Sequence, residues 1–270
     1  MKRIIRNIAG TVILGLSAFA MSGPGVKAQT MPVCPASGTA ANLSATGACR
    51  GTPDRYEITV YEMGLCTADP LSGGNYDSTT CTATFTSAGG TNANLAGGAS
   101  ISLGSSSSGG GTRPADGSYG WAYIIIGNTF GLRGEYELVG GALAGVYGSD
   151  SSGTAVKGGT PTDFTETLTN FDPSSGACTP TAWENVGSGR LDAAITDSSL
   201  TTATSCTGVT RIVGSFAPST PIVIDPATTG IQVTFSVTNN GMTLIDAPGP
   251  GGVLASFGSG PFSPSFTILN

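Results

Sequence analysis

Short runs of alternating apolar and polar residues, ended by Gly, Pro or Ser, are the feature that most constrains this fold. Beyond residue 28, no segment keeps apolar residues at i, i+3, i+4 and i+7 without a break. Charged residues make up 10% of the chain, against about a quarter in ordinary globular proteins. The pattern therefore predicts an all-β protein, either an antiparallel β-sandwich or a jelly-roll-like fold.

The most apolar run, residues 119–126, is predicted to be the central strand of the core. Gly127 and Asn128 follow directly and tolerate the dihedral angles of a turn, so residues 130–138 should form the next strand. Asn239, Asn240 and Gly241 give the strongest hairpin signal. They predict that residues 231–237 pair with residues 242–245. Shorter strands are expected near residues 82–86, 100–103, 164–168, 189–195, 210–216, 222–224, 253–257 and 266–269.

Residues 55–65 also alternate with the period of a strand. Strict alternation places Tyr56, Ile58, Val60 and Glu62 on one face, and Glu57, Thr59, Tyr61 and Met63 on the other. Because both faces carry aromatic or β-branched side chains, partial cover is expected on both sides of this strand.

The first 28 residues have the layout of a cleaved signal peptide. Lys2, Arg3 and Arg6 precede a short apolar stretch, and a small residue, Ala28, ends the segment before Gln29. The stretch is too short for a typical membrane span. We therefore expect a bacterial-type exported protein, secreted or displayed at the cell surface, with the periplasm as the alternative location. No membrane span is expected once the leader has been removed.

All six cysteines follow this leader, and an even number in an exported protein indicates disulfides. Sequence alone allows 15 pairings; we favour bonds between neighbours, Cys34–Cys49, Cys66–Cys81 and Cys178–Cys206. Residues 29–270 are interpreted as one disulfide-stapled domain. The Gly- and Ser-rich segment 148–159 offers an alternative division into two.

The charge balance excludes some partners. Four of the 11 basic residues lie in the leader, which leaves 7 against 17 acidic residues, a net charge of about −10. Nucleic acid is not an expected partner, because phosphate neutralisation needs clustered Lys and Arg. Anionic lipid surfaces are disfavoured for the same reason.

The chain contains no histidine, so Ser-His-Asp and Cys-His catalysis are excluded. The one lysine after the leader, Lys157, lies in a Gly- and Ser-rich stretch that is poorly suited to Schiff-base chemistry. Paired carboxylates are the catalytic arrangement left open. Glu135 and Glu137 share one strand face, and this spacing brings their carboxyl groups into the distance range that a glycoside hydrolase uses. A solvated charged face beside Arg133 is the favoured interpretation.

Two kinds of ligand are considered. Calcium needs only oxygen ligands, and its weak candidates are Asp69, Asn75, Asp77 and Asp150. No EF-hand spacing is present, and ordinary turn formation explains these residues better. Polysaccharide would need exposed aromatic side chains. Trp121 and Tyr123 share a strand face, and Trp183 is expected in a loop, although core packing is the favoured role of the first two.

These observations favour a non-enzymatic structural or surface protein that self-associates into an extracellular filament, sheath or matrix. The first alternative is a carbohydrate-binding module, with or without calcium, and the second is a carboxylate-dependent secreted hydrolase. No catalytic or cofactor-binding residue is assigned. The terminal segment 263–270 (SPSFTILN) has two interpretations. It pairs within its own sheet, which we favour, or it adds to the sheet edge of a neighbouring molecule.

Overall fold

Nineteen β-strands and two short 3₁₀ turns form the regular structure of the residues that the computed structural model describes, namely 31–39, 47–97, 100–103, 111–246 and 254–270. The predicted leader lies outside these residues. The strands are β1 Ala48–Gly51, β2 Arg55–Cys66, β3 Cys81–Asn94, β4 Ser100–Leu103, β5 Gly117–Tyr119, β6 Trp121–Gly127, β7 Thr129–Arg133, β8 Glu135–Leu138, β9 Gly145–Ser149, β10 Ala155–Lys157, β11 Phe164–Thr167, β12 Thr181–Val186, β13 Gly189–Thr196, β14 Arg211–Pro218, β15 Ile222–Ile224, β16 Gly230–Ser236, β17 Met242–Asp246, β18 Leu254–Ser259 and β19 Ser263–Leu269.

The ladders between these strands are all antiparallel, so the predicted all-β class is confirmed. Each of the predicted short strands overlaps an observed one. Five observed strands were either not predicted or predicted only in part: β1, β5, β9, β10 and β12. Within the described ranges, no helix has the length and hydropathy to cross a bilayer.

The largest sheet has eight strands and is organised around β2. β3 pairs with one edge of β2, while β6 and β7 lie end to end along the other. β14 continues the sheet beyond β6, followed by β13 and β12, and β11 pairs with β7. The predicted central strand thus lies in the middle of the largest sheet.

The turn predicted at Gly127 and Asn128 is wrong. Ile126 pairs with Val60 and Leu132 pairs with Tyr56, so the chain bends between β6 and β7 without reversing direction. Asn128 is buried, and its side-chain amide donates to the carbonyl groups of Leu168 (3.2 Å) and Val209 (3.1 Å). This residue therefore joins neighbouring strands of the sheet instead of turning the chain.

The hairpin predicted around Asn240 is also wrong. β16 pairs with β19 and β4, whereas β17 pairs with β18 and β1. A tight turn does form, with φ of 58° at Asn239 and the N–H of Gly241 donating to the Val237 carbonyl (2.8 Å). Gly260 then donates to the Gly241 carbonyl (2.9 Å). The turn does not form a hairpin, because the two strands beside it pair elsewhere: β16 pairs with β19, and β17 pairs with β18.

β2 contains a bulge that changes its alternation. The register with both neighbours shifts between Val60 and Glu62. Met63 is buried in the same core cluster as Val60, although strict alternation places it on the opposite face. The prediction that Glu57 and Glu62 lie on opposite faces is therefore wrong, since one inserted residue reverses the phase of a strand.

Both faces of the large sheet are covered, as predicted for β2. The main core cluster contains Ile58, Ile124 and residues of β16, β17 and β18, so it joins the sheets. A smaller cluster on the opposite face contains Tyr123 and Ile125 and is overlaid by residues from the loop between β2 and β3. Ring contacts between Tyr56 and Phe262 (6.1 Å between centroids), and between Phe216 and Phe266 (6.3 Å), also join the sheets.

The segment 148–159 contains the end of β9, a turn and β10, which pairs with β9. β9 also pairs with β8, so this segment belongs to a three-stranded sheet. The interpretation of residues 29–270 as one domain stays a prediction.

Three disulfides link Cys34 to Cys49, Cys66 to Cys81 and Cys178 to Cys206. These are the neighbour pairs favoured from the sequence. Cys66 and Cys81 are also register partners in β2 and β3. The start of β3 is therefore fixed covalently to the centre of the sheet.

Candidate functional site

The candidate acid pair lies on an exposed surface. Glu135 and Glu137 are both exposed on β8, and Ser37 donates to a Glu137 carboxylate oxygen (3.1 Å). Arg133 pairs with Asp163 instead of with either glutamate (3.3 Å). The exposure of both glutamates agrees with a solvated face; that the pair has no catalytic role stays a prediction.

Three of the four calcium candidates, Asp69, Asp77 and Asp150, accept hydrogen bonds from residues close to them in sequence. Asp77 accepts the N–H of Thr79, and Asp150 accepts the N–H groups of Ser152 and Thr154. These bonds hold the pKa of each aspartate below its usual value: the main cause is the Thr79 N–H for Asp77 and the Ser152 hydroxyl for Asp150. Asp69 accepts the N–H of Leu71 and the hydroxyl of Ser215, while Asn75 is exposed. Within the described ranges, no three His, Cys, Asp or Glu side chains form a metal-binding group.

The aromatic candidates are divided between packing and surface roles. Tyr123 is buried, and its hydroxyl donates to Glu62 (2.6 Å). Burial and this bond raise its pKa. Trp121 is half-buried against the same cluster. Trp183, expected in a loop, lies on β12, where the guanidinium of Arg190 covers its ring at 4.8 Å from the centroid. The three rings do not form one exposed strip.

A buried ion pair between Arg50 and Glu184 was not predicted. The side chain of Arg50 is 9% exposed and that of Glu184 is 15% exposed. Burial raises the pKa of Glu184, and the Arg50 charge opposes this shift. The Nε and Nη1 atoms of Arg50 are buried, and neither has a hydrogen-bond partner among the residues that the structure describes. The two residues are 134 positions apart, so no local pattern in the sequence indicates the pair.

Two cavities are small. One, of ≈ 30 Å³, lies between the large sheet and β16 and β19, where its lining includes Leu191, Phe216, Val233 and Phe266. The other, of ≈ 80 Å³, is bordered by Arg113 and Thr228. A single water needs about 10–15 Å³ on this measure, so both spaces are too small for a sugar ring.

Most of the edge strands are protected. The main chain of β1 bonds to residues 32–34, and Phe257 of β18 donates to the Gly153 carbonyl (2.8 Å). β3 has two register shifts, and Thr112 donates to its Ala83 carbonyl (2.9 Å). A charged residue lies on each of three further edge strands: Lys157 on β10, Glu166 on β11 and Glu184 on β12. Bulges, charges and covering segments are the usual ways to block unwanted strand pairing.

β19 lacks most of these protections. It pairs with β16 over seven residues without a register shift, and no described strand pairs with its other edge. It carries no charged side chain, and Ser265, Thr267 and Leu269 are exposed. Pro264 is the one interruption, near its start. Two interpretations of residues 263–270 were given, and in the structure this segment pairs within the chain's own sheet, with β16.

No known family model matches this chain, and no curated protein or solved structure is significantly similar to it.

Proposed function

We propose that this chain is an exported, non-enzymatic structural protein whose copies associate through their sheet edges in an extracellular filament, sheath or matrix. The observation that carries the proposal is the open edge of β19, which is long, uncharged and regular. Such an edge presents unpaired N–H and C=O groups that can bind another strand.

The proposal includes a β-sandwich made of one domain, residues 29–270, and removal of the leader during export to the cell surface, the medium or the periplasm. The ring contacts of Tyr56 with Phe262 and of Phe216 with Phe266 support two layers packed face to face. The three disulfides suit an oxidising compartment.

The two alternatives have less support. A carbohydrate platform needs accessible ring faces, but Arg190 lies over Trp183 and Tyr123 is buried. A carboxylate-dependent hydrolase needs two acids in a cleft, whereas Glu135 and Glu137 are exposed on a strand.

The first experiment expresses the full chain with its own leader and purifies the exported protein. Mass spectrometry should find an N-terminus at Gln29 and six oxidised cysteines. Light scattering and negative-stain electron microscopy should then find concentration-dependent assemblies with regular order. A protein that stays monomeric at every concentration would contradict self-assembly and favour ligand binding, which a glycan array and a calcium titration would examine next.

A further inference from the structure

We infer that β19 pairs antiparallel with β19 of a second copy of this chain, around a twofold axis at Phe266. This inference rests on the proposed self-association and names the edge, the partner and the register. It predicts a closed dimer as the building unit, because an isologous contact satisfies itself and does not propagate. A filament or matrix then needs a second contact, between dimers.

The direction of the main-chain groups follows from one hydrogen bond and from the geometry of an antiparallel strand. The Leu269 carbonyl accepts the N–H of Thr229, the residue before β16 (2.7 Å), so it points toward β16. In an antiparallel strand, N–H and C=O of one residue point to the same side, and successive residues alternate. The main chains of Phe266 and Ile268 therefore point away from β16, toward the open edge.

Pro264 fits the same alternation. Proline has no N–H, and in sheets it occurs on edge strands with its nitrogen facing away from the ladder. Its carbonyl therefore remains available at the open edge, in phase with Phe266 and Ile268.

One register uses all three outward-facing residues. With Phe266 opposite Phe266 of the second copy, the two main chains exchange N–H···O=C bonds. Each Ile268 N–H then donates to the Pro264 carbonyl of the other copy. Shifting the strands by one residue would set outward-facing groups opposite inward-facing ones and lose these bonds.

The side chains agree with this pairing. Phe266 and Ile268 pack against the core, so the joined strands would continue one apolar face across both copies. Ser265 would lie opposite Thr267 of the second copy on the exposed face. A strand paired with itself brings like charges together, which destabilises a pair. The absence of charge in β19 removes this penalty and favours an identical strand as the partner.

The test introduces charge on that exposed face. The double variant Ser265→Lys/Thr267→Lys places lysines opposite lysines across the axis, and Ser265→Glu/Thr267→Glu places glutamates opposite glutamates. Within the chain their neighbours are Thr234 and Gln232, which are uncharged. We expect each variant to weaken dimerisation at least tenfold in sedimentation equilibrium. An equal mixture should recover dimers, because lysines then face glutamates.

The matched control is Thr165→Lys/Thr167→Lys. These residues have the same spacing and are exposed on β11, and the substitutions change the net charge equally. The control should dimerise as the wild type does. Near-UV circular dichroism checks that every variant is folded.

The outcomes separate the two proposals. Assembly that the β19 charges leave unchanged overturns the β19 pairing but not self-association. Dimers that respond as expected, without larger assemblies in the microscope, support the pairing and contradict the filament or matrix. A wild-type monomer at all concentrations overturns both.

Discussion

The edges formed by β3 and β19 differ in how strongly they are protected, although neither strand carries a charge. β3 is 14 residues long, but its pairing with β2 shifts twice and a disulfide fixes its start. Gly90, with φ of 77°, lies in the bulged part. β19 is half as long and follows β16 without interruption. Because charge is absent from both strands, the two edges differ in the regularity of their pairing and not in charge.

The largest expected effect concerns another protected edge, β1, through its buried Arg50. Arg50→Ala should lower the free energy of unfolding at pH 7 by about 3–5 kcal/mol, because Glu184 is then buried without a counter-charge. Removing Arg50 also removes the interaction that opposes the raised pKa of Glu184.

The loss of unfolding free energy in Arg50→Ala should depend on pH. A carboxyl with a raised pKa in the folded state costs stability above its unfolded pKa, and the cost disappears as the pH falls below that value. The loss in Arg50→Ala should therefore shrink toward pH 4 in urea titrations. Adding Glu184→Gln should recover much of it at pH 7. A loss that is equal at both pH values would contradict this account.

Removing the covalent attachment of β3 should have the next largest effect. Cys66→Ser/Cys81→Ser should cost about 3 kcal/mol, since the bond closes a loop of 15 residues in the unfolded chain. Thermal unfolding measures the loss. If β3 also loosens as an edge, the variant should self-associate more than the wild type, which light scattering would detect.

Phe266→Ala should cost about 2 kcal/mol, less than the 3–5 kcal/mol of a fully buried phenylalanine, because this ring is only partly buried. The main chain keeps its outward-facing groups, so dimerisation should weaken less than in the Ser265→Lys/Thr267→Lys variant. Sedimentation equilibrium compares the two. An equal or greater loss of dimer would mean that side-chain packing, and not main-chain pairing, holds the copies together.

The smallest expected change in stability, about 1 kcal/mol or less, comes from deleting residues 87–89 of β3. The deletion would place Gly90 opposite Tyr61 and make the register continuous from Thr86 to Thr91. The second shift, between Met63 and Gly64, remains, so the regular stretch of edge should run from Phe85 to Asn94. We expect added self-association, measured by light scattering. Unchanged association would show that the covering segment around Thr112, not the bulge, protects this edge.

Local pattern predicted the strands well but predicted their partners poorly. Alternation and Gly or Pro boundaries located β14, β15 and β18 to within a few residues. The turn residues Asn128 and Asn239 were identified as special positions, yet neither connects a pair of hydrogen-bonded strands. A turn signal describes a few dihedral angles, whereas the choice of partner depends on strands far along the chain.

For the candidate site too, the sequence located the segment but did not predict its partners. The sequence singled out residues 263–270 as a terminal segment with two possible pairings. It did not indicate that β16 would bind one edge of this segment and that no described strand would pair with the other. The roles of Trp183 and Arg50 also depend on their neighbours in the folded chain. Arg190 covers Trp183 from the next strand, and Glu184, which pairs with Arg50, lies 134 positions further along the chain.

The sequence by itself determined the all-β class and the positions of most strands, because alternation acts over a few residues. It favoured the neighbour pairing of the cysteines among 15 possibilities, and the structure decided it. Only the tertiary structure decided the phase change in β2, the burial of Arg50 with Glu184 and the open edge of β19. Each of these depends on which segments pack together, and long-range packing overrides local preference when it buries more apolar surface.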